Sequence, residues 1–174
     1  MLIEMQVMGI AIDTRTGSPI VVLQDNDNRR ALPIWIGSAE ASAIIRIIEN
    51  IKVQRPMTHD LIVNIVENLG YIINRVEITD VEKDTFFSRI VLQNKKGDEI
   101  VIDSRPSDAI AIAIRVEAPI FVSPSVLAEG SISCNSQKDE MEAQEFKDFI
   151  QNIKPSDFER LMKDNTDFDR PTDL

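Results

Sequence analysis

Three short β-branched runs fill the first 36 residues, and the gaps between them are too short to hold a crossover helix. Leu2–Asp13, Ile20–Leu23 and Ala31–Ile36 are separated by the turn clusters Thr14–Pro19 and Asp25–Asn28. Parallel neighbours need a connection of about a dozen residues or more, so these runs predict an antiparallel meander. Pro33, inside the third run, has no ladder donor and predicts an edge or a bulge.

The hydrophobic period then changes. Gly37-Ser38 opens a helix in which Ile44, Ile47, Ile48 and Ile51 recur at helical spacing. After a linker over Lys52–Met57, Thr58 predicts an N-cap. Leu61, Ile62, Ile65, Val66 and Leu69 predict the buried stripe of a second helix, which Gly70 closes. Tyr71–Thr79 and Thr85–Gln93 read as strands joined by a short acidic turn. Asn94–Asp98 reads as a hairpin loop before a strand over Glu99–Asp103. The alternating Ala/Ile segment after Asp108 looks like a strand. However, Pro106-Ser107-Asp108 is a helix start and alanine disfavours strands, so a buried helix is expected. Ala118-Pro119 ends it, Ile120–Val122 is a short strand, and Ser123–Gly130 a turn or short helix.

The expected fold is α+β: a mostly antiparallel sheet with three packed helices, plus a small helical C-terminal appendage. The domain covers residues 1–130. Residues 131–174 are expected to be a linker and an acidic helical segment. There Met141, Phe146, Phe149, Ile150 and Ile153 mark one helix, Pro155 breaks it, and Ser156 with Glu159 caps a second.

Composition narrows the function. Cys134 is the single cysteine, so no internal disulfide forms and a reducing compartment is expected. No apolar run approaches the roughly 18 residues of a membrane span, and Met1-Leu2-Ile3-Glu4 has no basic n-region. A cytoplasmic protein with no membrane partner is the expectation. The net charge is −10, and residues 137–174 carry half of it. Tight non-specific binding to nucleic acid rests on neutralising phosphates, which this balance does not favour. Action at a weak, local nucleic-acid site stays open. One histidine and one cysteine exclude a zinc site built mainly from those residues, and neither GxSxG nor HExxH occurs.

The remaining chemistry lies at helix starts. Glu40 falls in the first turn of the first helix. His59 and Asp60 open the second, just after Arg55-Pro56. Asp103-Ser104-Arg105-Pro106-Ser107-Asp108 leads into the third. Helix N-termini present unpaired N–H groups and suit anions, and arginine adds a fork for phosphate oxygens. Carboxylates can hold a divalent ion, and histidine can move a proton near neutral pH. The plain structural roles fit the same residues: acids in a first turn offset the helix dipole, and Arg105 with Asp108 can close a turn. Trp35, in an apolar run, is expected in the core or a subunit interface.

These residues lie in three ordered motifs that resemble the bifunctional nuclease family. They are Leu32-Pro33-Ile34-Trp35-Ile36-Gly37-Ser38-Ala39-Glu40-Ala41, Arg55-Pro56-Met57-Thr58-His59-Asp60-Leu61 and Asp103-Ser104-Arg105-Pro106-Ser107-Asp108-Ala109-Ile110-Ala111, followed by Ala118-Pro119-Ile120-Phe121-Val122. The resemblance spans residues 2–130. It implies a compact α+β domain that self-associates, as a dimer for instance, and nuclease activity on DNA and RNA. On that reading Glu40, Asp103 and Asp108 hold a divalent cation such as Mg or Mn. Arg55, Arg105 and Ser107 bind phosphate, and His59, oriented by Asp60, acts as general base or acid beside Glu40 and Asp108. The alternative is a non-enzymatic regulatory module whose arginines and helix ends bind a phosphorylated small molecule or a protein partner. A third reading gives the motifs a purely structural role in turns and a subunit interface.

Overall fold

In a computed structural model of the chain, residues 1–134 are described. The expected helices around Met141–Ile153 and Ser156–Glu159 lie outside them. The strands are β1 (Ile3–Ile12), β2 (Pro19–Asp25), β3 (Arg30–Trp35), β4 (Tyr71–Glu82), β5 (Thr85–Asn94), β6 (Glu99–Ser104), β7 (Ile120–Val122) and β8 (Ile132–Ser133). The helices are α1 (Ser38–Ile48), α2 (Thr58–Asn68), α3 (Pro106–Val116) and α4 (Pro124–Gly130). The α+β expectation holds.

One sheet runs in the order β6-β5-β4-β7-β1-β2-β3-β8. Two antiparallel meanders, β1-β2-β3 and β4-β5-β6, are joined by β7. It pairs antiparallel with β1 and parallel with β4, the sheet's single parallel contact. Among the described residues, Pro33 has no partner on the outer side of β3, because β8 pairs only with Arg30 and Ala31. That placement leaves its missing N–H without consequence.

Strand alternation divides β2 between two apolar clusters. Val21 and Leu23 join the main core with Ile44, Ile78 and Ile110. Ile20 and Val22 join a small cluster with Ala11 and Ala31. The Ala/Ile segment is helical, and residues 109–113 of α3 are at most 2% exposed. Alternating apolar residues would suit one face of a strand. Here α3 is buried all round, packed against α1, α2, β4 and β5, and its alanines allow close approach.

Both expected helical stripes are narrower than the sequence period implies. Helix α1 stops at Ile48, and Asn50 turns left-handed at φ 52°, so Ile51 falls outside the helix and is 48% exposed. In α2 the inward residues are His59, Val63 and Val66. Leu61, Ile65 and Leu69 are more than half exposed. The N-cap of α2 is Met57 rather than Thr58. Its backbone N–H donates to Asp60 Oδ2 at 2.8 Å. Of the two places expected for Trp35, core or subunit interface, the core is excluded. Trp35 is 53% exposed at the end of β3, and its indole N–H donates to Asp13 Oδ2.

Truncating the fully buried Ile110 to alanine is expected to cost about 2–5 kcal/mol, read as a lower midpoint in urea unfolding. Ile51→Ala is expected to stay within about 0.5 kcal/mol of wild type, because that side chain has left the core.

Candidate functional site

The starts of α1, α2 and α3 meet, and four side chains join them in a row. Glu40 Oε1 lies 3.0 Å from Arg105 Nη2. Arg105 Nε donates to Asp108 Oδ2 at 2.7 Å. Asp108 Oδ1 lies 2.9 Å from His59 Nε2. Local sequence explains each placement. Pro106 starts α3 directly after β6, so Arg105 becomes its N-cap and Asp108 its first-turn acid. Gly37 caps α1, and any Cβ there would strike the Glu40 carboxylate, so glycine keeps room for the acid to fold back.

His59 is only 9% exposed and reaches Asp108 from the first turn of α2. In the neutral ring tautomer that donates from Nε2 to Asp108, Nδ1 remains as proton acceptor. Burial works to raise the Asp108 pKa. Hydrogen bonds from Arg105 and His59 outweigh it and hold the carboxyl below the ordinary value of 3.8. Arg105 is held protonated by Asp108 first and Glu40 second, yet its side chain stays 66% exposed.

Asp60 does not orient His59. Its Oδ2 caps α2, and its Oδ1 accepts from Arg115 Nε at 2.6 Å. Arg115, 5% exposed, also donates to the carbonyls of Ala111 and Ala43, and so ties α3 to α2 and α1. None of the three motifs includes Arg115. A cation closing the last turn of an otherwise apolar helix was the available signal.

The other expected residues take no part in the row. Ser107 is buried in α3, and Arg55 lies exposed in the connection between α1 and α2. Asp103 is exposed on β6, across from Arg89 of β5. The expected ligand set of Glu40, Asp103 and Asp108 is not assembled. Among the described residues no three His, Cys, Asp or Glu side chains gather to hold a metal. Glu40 and Asp108 instead share Arg105, whose guanidinium stands where a cation between them would sit.

Beside the row opens a cavity of about 420 Å³. Aliphatic side chains form its walls: Ile62 and Val66 of α2, Ile73 of β4, Ile90 and Leu92 of β5, Ile102 of β6 and Ile112 of α3. Asp103, Ser104, Arg105 and Asp108 stand on its rim.

Comparison with known proteins decides the family. The model of the bifunctional nuclease domain matches residues 21–135. The chain belongs to the bifunctional nuclease domain family. An uncharacterized protein of Mycobacterium tuberculosis is 34% identical over 163 residues, 89% of this chain and 97% of that protein. Bifunctional nuclease 1 of Oryza sativa subsp. indica is 30% identical over 112 residues, and bifunctional nuclease 2 of Arabidopsis thaliana 29% over 107. Those matches cover 63% and 60% of this chain but 34% and 32% of the plant proteins, so the chain corresponds to about a third of their length. Among the described residues, no helix is long and apolar enough to cross a membrane.

The electrostatics set a pH dependence. Asp60 is held below 3.8 although burial opposes it, through the Met57 N–H and Arg115, and Asp108 is lowered likewise. Near that pH the folded chain therefore binds fewer protons than the unfolded one. Their stabilisation is complete above 3.8 and is lost as pH falls through the lower folded values. In Asp60→Asn, stability measured between pH 5 and pH 2 is expected to fall less steeply than in wild type; parallel curves would rule out this carboxylate as a contributor. Arg115→Ala removes the cation from Asp60 and the tie from α3 to α2 and α1, and is expected to cost on the order of 3 kcal/mol in chemical denaturation.

Proposed function

We propose that this domain hydrolyses phosphodiester bonds in DNA and RNA. The observation that carries the reading is the convergence of three helix N-termini on the row Glu40–Arg105–Asp108–His59, in a family whose plant relatives are named bifunctional nucleases. Asp108 fixes the ring of His59, which takes a proton from the attacking water. The P–O bond to the leaving oxygen breaks as the water oxygen bonds to phosphorus, and the proton held on His59 passes to the departing oxygen, which leaves as an alcohol. Arg105, exposed while held by two carboxylates, binds the non-bridging oxygens, and the helix N–H groups add to that field. The donor set does not fit a resident divalent ion, because Arg105 takes the place between Glu40 and Asp108, and no step is assigned to one.

Purified wild type is expected to cut single- and double-stranded DNA and RNA, and to keep cutting in EDTA. His59→Ala and Asp108→Asn are expected to lose at least about a hundredfold in rate. Asp60→Asn should change stability more than rate. Equal cleavage by wild type and His59→Ala would refute this assignment.

The aliphatic cavity under Arg105 favours a second reading, a regulatory module that seats the apolar part of a phosphorylated small molecule. A rise in melting temperature with such a compound, without turnover by wild type, would select it.

A further inference from the structure

Trp35 belongs to the first of the three motifs, and the row leaves it without a role. It is the chain's single tryptophan and is 53% exposed, whereas tryptophan is as a rule highly buried. Asp13 Oδ2 accepts its indole N–H at 3.2 Å, so the ring is held by one edge while much of its surface stays open. The same carboxylate brings up a cation: Arg15 Nε lies 3.8 Å from Asp13 Oδ1, and the Arg15 side chain is 86% exposed. Trp35 stands in a cleft of about 610 Å³, the size of a small-molecule site. Pro33, Val81 and Phe86 supply the rest of its apolar wall. Lys83 and Asp84 reach it from the two-residue turn between β4 and β5, where both take positive φ, 46° and 62°, and Glu129 comes from α4.

Two chain paths place this cleft beside the row. Trp35 ends β3 just before Gly37, the N-cap of α1, whose first turn carries Glu40. On β5, Phe86 lies two residues from Ser88. Ser88 pairs with Ser104, the neighbour of Arg105, and its hydroxyl donates to the Ser104 carbonyl at 2.6 Å. Two residues of strand span about 7 Å, so a nucleotide chain with a phosphate on Arg105 reaches the cleft with a neighbouring base. Charge then selects the mode of binding. A chain of net charge −10 neutralises few phosphates, and the cleft itself mixes Lys83 with Asp84 and Glu129. Stacking on an aromatic face adds affinity without a basic surface and accepts any base. A duplex keeps its base faces stacked inside, so a single strand or a splayed end is what offers one.

We propose that Trp35 is a base-stacking subsite for single-stranded nucleic acid, flanking the phosphate held at Arg105. A base lies on the open indole surface within the cleft walled by Val81 and Phe86, and Arg15 and Lys83 meet the adjoining phosphates. The subsite favours single strands over duplex. It is indifferent to sequence, because the side chains of Pro33, Val81 and Phe86 offer a base edge no hydrogen bond. Its place next to the scissile phosphate rests on the phosphodiester reading above; the stacking itself does not.

Because the chain has one indole, its emission reports the subsite directly. In full-length His59→Ala, a short single-stranded oligothymidylate is expected to quench that emission saturably, and a blunt duplex of equal length to leave it unchanged. By anisotropy of the fluorescein-labelled strand, Trp35→Ala should bind about tenfold more weakly and Trp35→Phe close to wild type. Arg15→Glu/Lys83→Glu, both on the surface, should also weaken binding about tenfold, with unchanged far-UV circular dichroism. In cleavage, Trp35→Ala should raise KM for single strands about tenfold and leave kcat within about twofold. Emission unmoved by the single strand, or quenched equally by the duplex, overturns the subsite. So does emission that shifts only when the protein alone is diluted, which assigns Trp35 to a subunit interface. If wild type cleaves nothing while the strand still quenches, the nuclease reading falls and the subsite stands. If wild type cleaves and Trp35→Ala keeps its affinity for the strand, the subsite falls alone.

Discussion

The close seating of α3 on the sheet governs the other helices. Its alanines let it touch β4 and β5 on one side and accept α1 and α2 on the others. Interiors are packed to near-crystalline density, so the position of α3 sets where the remaining helices can lie. Arg115 then locks the far end of α3 to α2 and α1 through Asp60 and two backbone carbonyls. The near end carries Arg105 and Asp108. The geometry of the Glu40–Arg105–Asp108–His59 row is thus inherited from helix packing rather than built by a dedicated loop.

Much of this could be read from residues in order. Turn chemistry announced the meander, and Pro106 announced a helix despite an alternating pattern. The three motifs at helix starts held the members of the row. What could not be read is pairing between elements. His59 and Asp60 are neighbours in sequence, but a helix turns adjacent residues through about 100°, so Asp60 points to Arg115 while His59 points to Asp108. The stripe on α2 failed for a related reason. Periodicity reports that a face is apolar, not what covers it, and part of this one overhangs a cavity. Two of the carboxylates expected to collect a metal, Glu40 and Asp108, pair instead with Arg105, whose reach from an N-cap position no spacing rule reports.

A second charged lattice, Arg75–Glu77–Arg89, shows the same logic in a structural setting. Glu77 is 2% exposed, yet it accepts from Arg75 Nε at 2.7 Å and Arg89 Nε at 2.6 Å. Burial opposes its ionisation, but the two guanidiniums hold its pKa below the ordinary value. Both this acid and Asp108 are carboxylates clamped by arginine. The difference is that Asp108 also holds a histidine and faces a cavity.

The three-residue strand β7 has a consequence for how the molecule is made. Each meander is local in sequence and can begin to pair as soon as its own turns emerge. Their union waits for residues 120–122, which must insert between β4 and a β1 synthesised more than a hundred residues earlier. Long-range closure of this kind is slow to form. During translation the two half-sheets therefore expose the flanks that β7 will cover, and the chain is most open to mispairing just before its last central strand leaves the ribosome.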